Sequence, residues 1–346
     1  MTTDATNVPA LAAIDIGSNT IHLVVARPLA TSDGTPGASD LEILVDETAL
    51  VRLGADVTAS GAIGPERTGV ALDVLRQQVA TARGLGASVV LGVATEGVRA
   101  ARNGVAFLQR VRQETGIEVA LVSGEQEAAL TFWGATSGHA LVGRGAVVDL
   151  GGGSMELVVG DAARIAWRVS LPLGSGALHD RLAPADPADP EQLALVERTV
   201  VDTLQALAVP LPVREVAACG GSATTLGALA RRALDGAPPA DGASAPLATA
   251  PPGSAPLPVT LPALDDARLA ALVELLQRLP AATIAQRYGI DEQRARLLPA
   301  GAVILRATLR RLGADELRVS RRGIREGAIL AYLRHGAGWL DAAARG

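Results

Sequence analysis

The chain repeats itself. The run AAIDIGSNTIHLVVAR, starting at Ala12, returns as AVVDLGGGSMELVVGD from Ala146. With Asp15 set against Asp149, Gly17 falls on Gly151, and Leu23, Val24 and Val25 fall on Leu157, Val158 and Val159 without a gap. Each copy reads as a strand, an Asp, a tight glycine turn and a second strand. A chain that carries the same hairpin twice, in a length of 346 residues, is expected to fold as two domains of one type.

The turns carry a chemistry of their own. Glycine allows positive φ and close approach, and successive backbone N–H groups in such a turn form a concave nest for an anion. The Asp before each turn is placed to hold a metal or to orient a water beside that anion. A lone Asp-x-Gly turn is also an ordinary hairpin. Two copies, each with Ser or Thr in the turn, point to two hairpins facing each other across a cleft and clamping a phosphate chain. A third anion-facing turn follows in CGGSATTLGALA, where Gly220, Gly221 and Ser222 lie between a strand and a helix N-terminus. Such a corner also arises for packing alone.

The remaining pattern is α/β. Apolar runs over 11–16, 21–26, 41–45, 89–94 and 118–122 predict strands, as do 146–150, 155–159, 165–170 and 213–218. Pro65 follows Gly64 as a first helical residue, and Leu72, Leu75 and Val79 recur on one face behind it. Further helices are expected over 191–208, 266–279, 291–312 and 324–335. Strands alternating with helices predict α/β layers. Residues 31–39, TSDGTPGAS, fit a hairpin loop. Residues 235–258 are so rich in Pro, Ala, Gly and Ser that a mobile excursion is expected there. The domain split is placed near residue 130, giving 1–130 and 131–346, with the last helix, from about 323, returning to the first domain.

Composition removes several classes. Aromatic residues make up 2%, too few for a base-stacking platform, and the net charge of −5 gives no global attraction to nucleic acid or an anionic membrane. All 31 basic residues are arginines, whose forks suit phosphate. A single cysteine, Cys219, excludes a disulfide framework and a Cys-based zinc cage, and reads as a small buried hydrophobe. His22, His139, His179 and His335 show no ligand spacing and read as structural or surface residues. Trp133 and Trp167 read as packing. The absence of a G-x-x-x-x-G-K-[ST] run excludes a P-loop, and the turn glycines miss the dinucleotide spacing. No leader-like start and no stretch of about 18 apolar residues is present. The expectation is a soluble, cytoplasmic protein without nucleic-acid or membrane partners.

Taken together, AIDIGSNTIHLVV (13–25), ETALVRLG (47–54), ATEGVRAARN (94–103), SGEQEAALTFWGA (123–135), VVDLGGGSMELVVG (147–160), SLPLGSGAL (170–178), CGGSATTLGALA (219–230) and VSRRGIREGAILAYL (319–333) resemble the exopolyphosphatase and guanosine-pentaphosphate phosphohydrolase family. This family lies within the sugar kinase, chaperone ATPase and actin-like superfold. The resemblance implies two duplicated actin-like, ribonuclease H-like domains around an interdomain cleft, in the short form without extra C-terminal helical domains.

It also implies an Mg2+-dependent hydrolysis of the terminal phosphoanhydride of inorganic polyphosphate. Hydrolysis of guanosine pentaphosphate (pppGpp), or non-catalytic binding of polyphosphate or the alarmone, are the alternatives. Residue by residue, Glu127 matches the water-activating glutamate, Asp149 and Glu156 match further acidic groups of the pocket, and Arg99 matches an arginine that reaches the phosphates. Asp15 and Asp149 are the implied metal ligands. Ser18 and Asn19, with Gly151, Gly152, Gly153 and Ser154, match the phosphate-cradling turns, beside Gly220, Gly221 and Ser222. A homodimer is left open. The family's usual Glu-Glu-Ala-Arg is here Gln126-Glu127-Ala128-Ala129, and Arg296 and Arg321 add positive charge where relatives commonly carry smaller or acidic residues.

Overall fold

The computed structural model describes residues 9–30, 36–139, 141–236 and 261–345. Two compact units emerge: residues 9–139 with 322–345, and residues 141–236 with 261–321.

The first unit is built on a five-stranded sheet of β1 (Ala10–Ile16), β2 (Thr20–Ala30), β3 (Pro36–Leu50), β4 (Ala87–Ala94) and β5 (Val119–Leu121), in the order β3-β2-β1-β4-β5. The first three strands form an antiparallel meander, and β4 and β5 run parallel to β1. The second unit holds β6 (Gly145–Leu150), β7 (Met155–Gly160), β8 (Ile165–Leu171), β9 (Val216–Cys219), β10 (Leu264–Asp265) and β11 (Glu316–Val319). Their order, β8-β7-β6-β9-β11 with β10 added at the edge, repeats that of the first sheet, and so do the strand senses. The duplicated sequence is therefore a duplicated ribonuclease H-like sheet, the building unit of the actin-like fold.

Each unit has its own core. Ile14, Ile16 and Leu23 of the first sheet meet Leu72, Leu75 and Val79 of helix Pro65–Gly84, the three residues whose spacing predicts that face. In the second unit Val148, Leu150 and Leu157 meet Leu193, Val196 and Val200 of helix Pro190–Gln205, and Trp167 packs at the edge of this cluster. Cys219 is buried, its Sγ 3.7 Å from the Val148 carbonyl. His22 is held between the hydroxyls of Thr20 and Thr48, at 2.5 and 2.8 Å.

The strand expected over 213–218 is confined to Val216–Cys219, and the loop expected over 31–39 is shortened. Residues 36–39 do not belong to a loop: Pro36 pairs with Ala30, and the backbone of β3 starts there. The hydrogen-bonding partner offered by β2 overrides the turn-forming composition. Residues 31–35 and 237–258 lie outside the described residues.

Behind the first sheet, helix Gly124–Thr136 crosses helix Ile324–His335, whose residues belong to the same unit although they lie far along the sequence. The crossing depends on two missing side chains. A methyl group on Gly134 would lie 1.8 Å from the Gly323 carbonyl oxygen, and one on Gly327 would lie 1.8 Å from that of Leu130. Arg325 fastens the returning helix to the sheet, donating to the Asp46 carboxylate and to the Leu23 carbonyl. Burial by itself disfavours the guanidinium charge, but Asp46 and Glu326 outweigh it and raise the Arg325 pKa. Gly327→Ala is therefore expected to cost about 3 kcal/mol or more through overpacking, read as a lowered denaturant midpoint. Gly69→Ala, in a helix and with nothing within 4 Å, serves as the uncrowded control and is expected to stabilise by about 1 kcal/mol.

Candidate active site

In the first unit, the turn after β1 has its carbonyls tied back. The Ser18 carbonyl accepts from Gly54 N at 2.7 Å, and the Asn19 carbonyl accepts from Val51 N and Arg52 N at 2.8 and 2.7 Å. In a trans peptide the N–H points opposite to the C=O. The Asn19 N–H therefore faces away from residues 51–54. Arg52 adopts φ 57°, a left-handed conformation that costs a non-glycine residue strain, to make these contacts.

Ser18 is buried and caged by two glycines from separate segments. A methyl group on Gly54 would come 2.9 Å from Ser18 Cβ, and one on Gly97 would come 2.6 Å from Ser18 Cα. This gives VRLG and TEGVR a role that their sequence does not announce. Asp15, the last residue but one of β1, stands opposite His22 of β2, and its side chain and that of Thr95 flank Gly17.

Gly97 belongs to the short helix Glu96–Arg99, which carries the expected arginine. Arg99 is already engaged within the unit. Its Nη1 donates to the Val122 carbonyl at 2.6 Å and to Glu127 Oε2 at 3.3 Å, and its Nη2 donates to Glu96 Oε2 at 2.6 Å. Three of the five guanidinium N–H bonds are thereby committed to the protein. Glu127 is buried in the first turn of helix Gly124–Thr136. A capping box fixes that turn: Ser123 Oγ accepts from Gln126 N, and Gln126 Oε1 accepts from Ser123 N at 2.9 Å. Gln126 Nε2 also donates to the Leu340 carbonyl at 3.2 Å. A carboxylate at position 126 has no proton for that bond, which gives the departure at this position a local physical meaning.

In the second unit, Asp149 of β6 stands directly opposite Glu156 of β7 and beside Cys219 of β9. Residues in register share a face of the sheet, so both carboxylates project to the same side. Glu156 is buried, and its Oε1 accepts from Ser170 Oγ at 2.6 Å. Gly220, at φ +88°, admits no side chain: a methyl group would stand 2.6 Å from Asp149 Oδ1 and 2.5 Å from the Leu150 carbonyl oxygen. The Asp149 carboxylate thus rests against the first residue of helix Gly220–Ala233.

The glycine turn 151–153 is tied back as the first turn is. The Gly151 carbonyl accepts from Ser175 N at 3.0 Å and the Gly152 carbonyl from Ala177 N at 2.9 Å, so the N–H groups of Gly152 and Gly153 face away from helix Ser175–Leu182. Gly174 lets the backbones meet, because a methyl group there would lie 2.3 Å from Gly153 C. Ser222, expected at the ligand, has its hydroxyl 2.8 Å from that of Ser175, which lies 3.3 Å from the Gly151 carbonyl oxygen. It joins the second turn to the third. Ser154 is buried, and Gly221 lies near Arg294 Nη1. Arg296 engages Glu292 at 2.7 Å and Asp186 at 3.3 Å.

Among the described residues no cluster of three or more His, Cys, Asp or Glu side chains is placed to hold a metal. Each unit is sparser in donors: the second holds the Asp149–Glu156 pair, and the first, taken by itself, holds Asp15 near the end of β1. One or two carboxylates are enough for a cation such as Mg2+, which keeps several waters. The residues present fit such an ion.

The cage around Ser18 makes a prediction. Gly97→Ala is expected to displace the first turn and weaken tripolyphosphate binding at least tenfold by isothermal titration calorimetry, while the circular dichroism spectrum is retained. Unchanged affinity would remove the cage from the site.

The profile of the Ppx/GppA phosphatase family matches residues 31–335. Exopolyphosphatase 1 of Mycobacterium tuberculosis is 30% identical over 329 residues, covering 93% of this chain and 88% of that protein. The guanosine-5'-triphosphate,3'-diphosphate pyrophosphatase of Vibrio vulnificus is 32% identical over 170 residues, covering 49% of this chain and 33% of its own. Among solved structures, the Ppx/GppA family member of Aquifex aeolicus is similar with a TM-score of 0.73 at 26% identity, over 95% of this chain and 99% of that one. An exopolyphosphatase from Cytophaga hutchinsonii shares the fold, with a TM-score of 0.78 at 21% identity over 96% and 98%. The family profile spans most of the sequence, and the duplicated sheets carry the turns and carboxylates described above. This chain belongs to the Ppx/GppA phosphatase family.

Proposed function

We propose that this chain is an exopolyphosphatase, releasing orthophosphate from the end of inorganic polyphosphate by hydrolysis of the terminal phosphoanhydride. The observation that carries the reading is Glu127, a buried carboxylate fixed at a capped helix start with Arg99 on its Oε2 at 3.3 Å. A protein that only binds polyphosphate has no need of a carboxylate held in that way. The similarity to a mycobacterial exopolyphosphatase over 93% of the chain supports the same reading.

The transition state of phosphoryl transfer spreads charge over the phosphoryl oxygens, so the protein's task is positioning and charge neutralisation. The outward N–H groups of Gly152 and Gly153, and that of Asn19, would bind phosphate oxygens. The Arg99 N–H groups not committed to Val122, Glu127 and Glu96 would add a positive charge. Glu127 would orient the attacking water and accept its proton. In the second unit Asp149 would hold Mg2+ beside Glu156, which Ser170 fixes, and Asp15 is the corresponding metal-ligand candidate of the first unit. A bound Mg2+ would supply charge neutralisation at the phosphate oxygens.

Release of guanosine pentaphosphate's terminal phosphate is a second reading, supported by a relative that matches 49% of the chain. Orthophosphate release from polyphosphate of defined length and from pppGpp, with and without Mg2+, separates the two. Glu127→Gln is expected to lower turnover by about 10²- to 10⁴-fold while tripolyphosphate still binds. Turnover near the wild-type rate would take Glu127 out of the chemistry.

A further inference from the structure

Glu96 has no part in the roles assigned above, yet it makes the shortest carboxylate contact on Arg99. Its Oε2 lies 2.6 Å from Arg99 Nη2, whereas Glu127 lies 3.3 Å from Nη1. The two carboxylates are differently placed. Glu127's side chain is 9% exposed and Glu96's 36%, with the arginine between at 25%. Glu96 therefore covers the more open side of the guanidinium. Its position is fixed by the fold. It sits three residues before Arg99 on the helix Glu96–Arg99, and Gly97, between them, packs directly on Ser18 of the first turn. A carboxylate oxygen on an arginine offers the same charge-assisted hydrogen bond as a phosphate oxygen.

We propose that Glu96 is a positioning residue that acts as an internal competitor: its carboxylate takes the Arg99 donor that an anionic substrate oxygen takes on binding. The uncommitted Arg99 N–H groups are open to substrate, but the Nη2 donor that Glu96 holds is engaged only by displacing that carboxylate, so the Glu96–Arg99 pair tunes how tightly polyphosphate is held. Val122 and Glu127 meanwhile keep Nη1 in place. Arg99 is thus anchored on its buried side and exchangeable on its open side. The kinetic part of this inference rests on the hydrolase reading given above; the binding part does not.

Glu96→Gln removes the charge at nearly constant size. It is expected to tighten tripolyphosphate binding in calorimetry by about two- to fivefold, the range of a partly exposed ion pair. KM for polyphosphate is expected to fall by a similar factor, with a smaller change in kcat. In an Arg99→Ala background the same substitution should have no effect on affinity, since the competitor then has nothing to occupy. The gain should shrink as salt is raised. Glu96→Ala gives the same reading without the amide.

Weaker binding in both variants would overturn the proposal, because Glu96 would then preorganise Arg99. Equal tightening with and without Arg99 would overturn it as well, since the effect would be one of general charge. Tripolyphosphate that fails to bind the wild-type protein would also end it. A chain that shows the Arg99-dependent tightening but releases no orthophosphate would support the competitor and overturn the hydrolase reading instead.

Discussion

A short turn at the end of a hairpin has more backbone groups than the two strands can pair, and buried groups of this kind must find partners. In both units the carbonyl side of the turn is satisfied by amides from a neighbouring segment. Residues 51–54 do this for the first turn, and the start of helix Ser175–Leu182 does it for the second. The amide side is then turned the other way. In each unit this arrangement sets outward-facing N–H groups after a strand that carries an Asp near its end.

This arrangement needs close backbone approach, which explains where glycine is required. Gly54 and Gly97 close on Ser18, and Gly174 closes on Gly152 and Gly153. Gly220 meets two demands at once, a positive φ and contact with the Asp149 carboxylate. The same logic governs the body of the first unit, where Gly134 and Gly327 let two helices cross at backbone distance. The crossing also helps set where Glu127 lies, since helix Gly124–Thr136 carries it in its first turn. Overpacking at such contacts would move backbone, and with it the groups that the backbone positions.

Much of the frame is legible in the sequence. The gap-free match of Asp15 with Asp149 is a local pattern, and its reappearance as two sheets of one strand order reflects equal strand and turn preferences in equal order. Leu72, Leu75 and Val79 face the core because their spacing follows the helical period. Other parts left little trace. The strand Glu316–Val319 is four residues with charges at two positions, and pairing with β9 decides it. Residues 36–39 carry a loop composition, yet strand pairing claims them.

The site divides along the same line. The sequence by itself determined which residues stand at the turns: the two Asp, the glycines and the hydroxyls after them, since positive φ and strand alternation are properties of neighbours in the chain. Tertiary structure decided what those residues touch. The family resemblance implies a phosphate-reaching role for Arg99; the fold brings Val122, Glu127 and Glu96 to it, and sets the Ser222 hydroxyl beside that of Ser175. These partnerships join segments far apart along the chain, and hydrogen bonds between remote segments exist only once packing has fixed their distance.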